Sequence, residues 1–140
     1  MTDRETTIRI AEQMDEFWNE RNLALAEEFI AEEFVGHMIG DDDLHGRDEY
    51  TAWAEGVAAM FPDFELEFEP MFVEDELLCG QWTLTGTHEG LLPDLGIEPT
   101  GKEVEFSGLF IDRLADGRVV EMWHQIDYLT LMQQLGAISE

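Results

Sequence analysis

The chain has 140 residues, and its 7 Lys and Arg stand against 33 Asp and Glu, a formal net charge of −26. A chain of this length folds as one domain with a real core, and a composition 44% apolar and 11% aromatic supplies that core. The charge excludes nucleic acid and anionic membrane surfaces as partners, and no run reaches the ~20 apolar residues of a membrane helix.

The acids recur in every segment, as in Glu27-Glu28, Asp41-Asp42-Asp43 and Glu74-Asp75-Glu76, and Lys102 is the one lysine. Dispersed acid with almost no lysine predicts a surface adapted to concentrated salt, where screening removes the self-repulsion, with an acidic mesophilic protein as the alternative. The first ten residues carry no apolar signal region, so a cytoplasmic protein is expected. Cys79 is the single cysteine. It allows no internal disulfide and no cysteine metal cluster.

Residues 6–21 place Ile10, Met14, Phe17 and Trp18 at helical spacing, with glutamates on the other faces. Asn22 is a candidate cap for a second, shorter helix with Leu23, Ala26 and Ile30 in one stripe. Residues 34–38 read as a short strand. An acidic loop follows to Gly46. Asp48 and Glu49 favour the start of a third helix, in which Tyr50, Trp53, Val57 and Met60 share a face. Pro62 stops it.

The period then changes to two. Phe64, Leu66 and Phe68 alternate with Glu65, Glu67 and Glu69, and Pro70 marks an edge or a bulge. Residues 77–87 form the next strand. A loop with Pro93, Gly96 and Pro99 leads to a strand over 103–114. Asp116-Gly117 is a hairpin turn of the Asp-Gly type, and residues 118–127 pair back. A short closing helix over 128–135 ends at Gly136. Helices followed by a meander of long strands make an α+β layout, in which helices on one face of a bent sheet leave a cone with an open end.

With these elements in place, one ordered set of short motifs becomes specific. It comprises Phe61-Pro62-Asp63, Gly86-Thr87-His88 with Gly90, Pro99-Thr100-Gly101-Lys102, Asp116-Gly117, Glu121-x-Trp123 with Asp127, and Gln134-Leu135-Gly136. In this order and spacing the chain resembles the SnoaL-like polyketide cyclases of the NTF2-like cone-fold superfamily. The resemblance covers nearly everything from Phe34 to Gly136 and makes residues 1–140 a single domain of that type. It implies N-terminal helices against a strongly curved antiparallel sheet, a homodimer formed through the outer sheet face, and aldol-type ring closure without metal or cofactor. The implied partner is a small hydrophobic molecule with carbonyl groups.

Asp127 ends the last strand on the face of Glu121, Trp123 and Gln125. A carboxylate set among aromatics has a raised pKa and suits a general base; the same residue is also a good N-cap for the helix after it. His88, between Gly86 and Gly90, and His37, on the strand that in the family runs near the pocket mouth, are candidates to steady an enolate oxygen. For each, a structural histidine is the alternative reading. Trp53, Trp82, Trp123 and Phe110 are candidates to line a flat apolar cavity, with core packing as the alternative for Trp53. His124 alternates away from Asp127 and reads as structural. No metal site is expected, since Asp41-Asp42-Asp43 lacks the spacing of a calcium loop and His37 and His88 have no third ligand nearby.

The family's cyclases place Gln and His on the penultimate strand. Here that strand offers Leu109, Phe110 and Ile111, with Ser107, Asp112 and Arg113 as its polar members. Two functions follow: proton abstraction next to a carbonyl, of cyclase, isomerase or lyase type, or a non-catalytic ligand-binding or assembly domain of the same fold.

Overall fold

The computed structural model describes residues 4–92 and 95–138; Pro93 lies outside them. Helix α1 spans Arg4–Asn19 and buries Ile10, Met14, Phe17 and Trp18, the stripe that its 3.6-residue period dictates. A 3-10 turn, Leu23–Leu25, runs into a single turn of helix, α2, Ala26–Phe29. The expected Asn22 cap is not formed: its side chain makes no capping bond. Arg21 takes the left-handed conformation at φ 59°. Its guanidinium donates to the Trp18 and Phe64 carbonyls and lies 3.7 Å over the Phe64 ring, tying the helix exit to the sheet.

Strand β1, Ile30–Met38, is longer than the five residues expected, because Ile30 and Ala31 already belong to it. Strand β2 is the short Leu44–His45. Helix α3, Arg47–Met60, starts from Gly46 at φ 90°. Strands β3, Glu65–Glu74, β4, Leu77–Thr87, β5, Glu103–Ala115, and β6, Arg118–Ile126, form the meander. Helix α4, Tyr128–Gln134, closes the chain. The β3 register shifts between Phe68 and Met71, around Pro70, as expected of a residue without an N–H to give the ladder.

The sheet order is β2-β1-β6-β5-β4-β3. The pairing is antiparallel except between β1 and β6, which run parallel, with His37 opposite Trp123. Thus the sheet is mixed where an antiparallel one was expected. The parallel pair seats β1 between β2 and β6, and α3, which follows β2, packs against β1.

The concave face of the sheet holds the core. Phe17, Trp18, Phe29, Phe34, Tyr50 and Trp53 meet edge to face between helices and sheet. The turn after α3 is pinned by Asp63, whose carboxylate accepts the Thr87 backbone N–H at 2.7 Å and the Thr87 hydroxyl at 2.8 Å. These bonds favour the ionised form and hold the Asp63 pKa below its usual value.

Candidate active site

A cavity of about 480 Å3 opens between the helices and the concave face. Strand parity decides what faces it. On β5 the inward residues are Val104, Phe106, Gly108, Phe110, Asp112 and Leu114, all buried, while Leu109 and Ile111 face out at 56% and 41% exposure. On β6, Met122 and His124 point in, and Trp123, Gln125 and Asp127 point out. The wall is mostly apolar and aromatic. Among the described residues it includes no Arg or Lys, and its interior polar side chains include Asp112, His124 and Tyr50.

Asp112 is only 3% exposed, and its Oδ1 has no hydrogen-bond partner among the described residues. Burial disfavours its charged form and pushes its pKa up to about 8. His124 is 2% exposed. Its Nε2 accepts the Trp82 indole N–H at 2.8 Å, and its Nδ1 has no partner among the described residues. Burial lowers the His124 pKa to about 4, so the ring is neutral at ordinary pH. Phe110 is opposite His124 and Met122 is opposite Asp112 across the β5–β6 ladder. Asp112 and His124 are therefore diagonal neighbours on one face, a spacing of roughly 7–8 Å between backbones. The Tyr50 hydroxyl accepts the Trp18 indole N–H at 3.0 Å. Burial, then the Asp112 charge, raise the phenol pKa above its usual value, so it stays protonated.

The structure distributes the expected site residues differently. Trp53, Trp82 and Phe110 line the cavity. Asp127 does not. It is exposed, and its carboxylate accepts the Thr130 backbone N–H at 3.0 Å and the Thr130 hydroxyl at 2.6 Å. Those bonds lower its pKa, where a place among aromatics would have raised it. Trp123, on the same outer face, meets the His37 ring at 5.5 Å with a 31° tilt and is not among the cavity-lining residues.

His37 Nε2 pairs with Glu121 Oε2 at 2.7 Å, and Nδ1 lies 3.5 Å from Asp43. The Glu121 hydrogen bond is the main cause of its raised pKa. The residue belongs to a half-buried ion-pair cluster that Glu121 extends to Arg113. His88 is fully buried, but as a loop pin: Nδ1 accepts the Thr100 N–H at 3.2 Å and lies 3.0 Å from its hydroxyl, while the His88 and Gly101 backbones bond across the same loop. The Gly86-Thr87-His88 and Pro99-Thr100-Gly101-Lys102 motifs thus meet as one structural latch.

Asp112, His124 and Tyr50 are the groups that sequence reasoning passed over. A signal existed for the first: along residues 104–114 the even positions are apolar but for one aspartate, and a buried polar residue in an apolar row is the informative exception.

A family model for SnoaL-like polyketide cyclases matches residues 8–135. The chain belongs to that family. The fold agrees. A candidate SnoaL-like polyketide cyclase from Jannaschia sp. CCS1 superposes with a TM-score of 0.85 at 25% identity, covering 99% of each chain. AclR, a candidate hydroxylase from Streptomyces galilaeus, gives 0.83 at 27% identity over 99% of this chain and 85% of its own. TsrD from Streptomyces laurentii, at 22% identity, shares the fold with a TM-score of 0.88 over 99% of this chain and 100% of its own. No curated protein matches the sequence. Within this SnoaL-like cone, β5 carries a buried carboxylate on the cavity wall, at Asp112, beside a β6 imidazole, while Asp41 lines the cavity from an exposed position.

Proposed function

We propose that this SnoaL-like protein is a small-molecule enzyme that removes a proton next to a carbonyl, with Asp112 as the general base. The observation that carries the reading is a buried carboxylate on the wall of an aromatic cavity whose Oδ1 has no hydrogen-bond partner among the described residues. A carboxylate with a pKa near 8 binds a proton strongly enough to take one from an activated carbon and is still partly ionised at neutral pH. The Asp112 oxygen takes the proton. The C–H electron pair moves into the neighbouring carbonyl, giving an enolate. In an aldol closure the enolate carbon attacks a second carbonyl of the same molecule, and Asp112 returns the proton to the new alkoxide. Substrate and product are isomers, and no redox partner or cofactor is consumed.

A wall with no Arg or Lys among the described residues, in a chain of net charge −26, favours an uncharged ligand over a carboxylate or phosphate. Trp53, Trp82 and Phe110 suit a flat, conjugated one. The apolar character of most of the wall favours the second reading, a binding domain without catalysis.

One experiment separates the two. Solvent deuterium exchange into 2-acetyl-1-tetralone, a planar 1,3-dicarbonyl, reports proton removal, and its binding is followed by tryptophan fluorescence. The enzyme reading expects exchange above the buffer rate, lowered about 10²-fold or more in Asp112→Asn. Binding without exchange leaves the ligand-carrier reading. Wild-type exchange in Asp112→Asn overturns the assignment of the base.

A cytoplasmic, salt-adapted homodimer fits the same reading. The Phe64, Leu66 and Phe68 row expected to form the dimer does not supply an outward apolar face: Phe64 is buried, Leu66 and Phe68 line the cavity, and the outward residues of that stretch are Glu65, Glu67 and Glu69. The apolar outer face lies elsewhere, in a row set by the ladder: Phe72, Cys79, Ile111 and Trp123 are successive neighbours across β3, β4, β5 and β6.

A further inference from the structure

We propose that Trp82 is a positioning residue: it holds His124 in the tautomer that carries its proton on Nδ1, so that the imidazole serves the cavity as a hydrogen-bond donor to the enolate oxygen and not as a base. This rests on the enolate chemistry above and assigns roles within the same site.

The argument begins with Gly108. It stands opposite Trp82 on β4 and opposite Ile126 on β6. The indole lies across it so closely that a Cβ there would overlap the ring. This bare stretch of β5 lets a β4 side chain cross a whole strand and reach β6. There Trp82 Nε1 meets His124 Nε2 at 2.8 Å, with both side chains buried.

An indole N–H only donates. His124 Nε2 must therefore accept, and in a neutral imidazole the one proton then sits on Nδ1. A protonated ring would turn a second N–H against the indole and lose the bond. Neither nitrogen of the locked ring is open to take a substrate proton: one lone pair is engaged by Trp82 and the other nitrogen already bears hydrogen. The low proton affinity of the buried ring agrees with this.

Orientation is fixed as well as tautomer. Trp53 packs edge to face on the imidazole at 5.0 Å, and Trp82 lies nearly coplanar with it at 16°. The Nδ1–H is left as a buried donor without a partner among the described residues, on the wall that also carries Asp112. A donor and a base held one diagonal apart match the oxygen and the acidic carbon of a single enolisable ketone. The donor forms no bond to carbon and gives up no proton; it lowers the energy of the charge that develops on oxygen.

The test reads the tautomer directly. Nitrogen-15 NMR of histidine-labelled protein, with His124 identified by the signal lost in His124→Gln, is expected to show the Nδ1–H form in the wild type. Trp82→Phe keeps an aromatic ring and removes the donor, and should move the population toward Nε2–H. Saturation with 1-naphthol, an aromatic enol, should shift the Nδ1–H resonance. In the exchange assay Trp82→Phe should lower kcat about tenfold or more, while KM changes less than about threefold. An Nε2–H wild type, an unaltered tautomer in Trp82→Phe, or a failure of 1-naphthol to bind or to move the Nδ1–H overturns the proposal. The wild-type spectrum decides even if the variant does not fold. Absence of exchange in the wild type strikes the enzyme reading, while the tautomer measurement still judges the lock.

Discussion

Asp127 and Thr130 close a two-bond cap on the last helix: the Asp127 carboxylate accepts both the backbone N–H and the hydroxyl of Thr130, at 3.0 and 2.6 Å. The carboxylate at the end of the last strand is therefore spent on the backbone. Asp127→Asn should retain the exchange rate and nearly all the stability, since Asn caps well. Asp127→Ala should retain the rate and lower the melting temperature by about 3 °C. Thermal melts beside the exchange assay check this; a large loss of rate in Asp127→Asn would restore Asp127 as the base.

Stability should carry the imprint of the two buried titrating groups. Asp112 has its pKa raised from 3.8 to about 8. Between those values the folded protein holds a proton that the unfolded chain has released, so stability falls as pH rises, by at most about 1.4 kcal/mol per pH unit. His124 has its pKa lowered from 6.5 to about 4. Between those values the unfolded chain holds the proton, so this contribution rises with pH. The two slopes oppose each other up to about 6.5; from there to about 8 the Asp112 slope is unopposed by His124, and the raised pKa of His37 acts in the same direction and cancels in the comparison with the variant. Urea denaturation across this range, in wild type and Asp112→Asn, gives the difference curve. It should widen in favour of the variant as pH rises to about 8 and then level. A flat difference would mean that Asp112 is not held protonated by the fold.

Catalysis should run the other way. The ionised fraction of Asp112 grows toward pH 8, so exchange should climb through the window in which the protein loses stability. The rate profile of the 2-acetyl-1-tetralone assay, with initial rates corrected for the folded fraction, measures it. A rate already constant from pH 6 would point to another base.

Gly108→Ala should be costly although it adds a single methyl group. The Cβ would occupy the space of the Trp82 ring and approach the Gln125 carbonyl at 2.6 Å. Overpacking of this kind costs about 1–3 kcal/mol. Urea denaturation gives the stability, and the His124 nitrogen spectrum should show the lock weakened as in Trp82→Phe.

The acidic surface sets an expectation for solution behaviour. With a net charge of −26 the fold should require molar KCl, and far-UV circular dichroism should show a cooperative fold lost toward 10 mM buffer, where the Debye length is about 30 Å. In high salt, light scattering should give twice the 16.1 kDa chain mass. Ile111→Asp, in the middle of the outward apolar row, should return it to one.

The sequence by itself determined the elements and their order. Helical spacing of Ile10, Met14, Phe17 and Trp18, alternation along 103–114, the Asp116-Gly117 turn and the ordered motifs were enough for an α+β cone of the SnoaL-like family, because these are local regularities or fixed offsets along the chain. Only the tertiary structure decided which face of β5 and β6 is the inside. In this sheet the outer face carries Leu109, Ile111 and Trp123, while the inner face carries Asp112 and His124. Hydrophobicity along either strand therefore points both ways, and a shift of one residue exchanges every side chain between cavity and solvent. The choice is made by contacts far apart in sequence: Tyr50 and Trp53 from α3 close over the concave face, and Trp82 passes over Gly108 to hold His124. No local pattern records a bond between residues 42 positions apart, so the shared placement of Asp112 and His124 on the cavity face, and the hold of Trp82 on His124, became visible only when the strands were laid side by side.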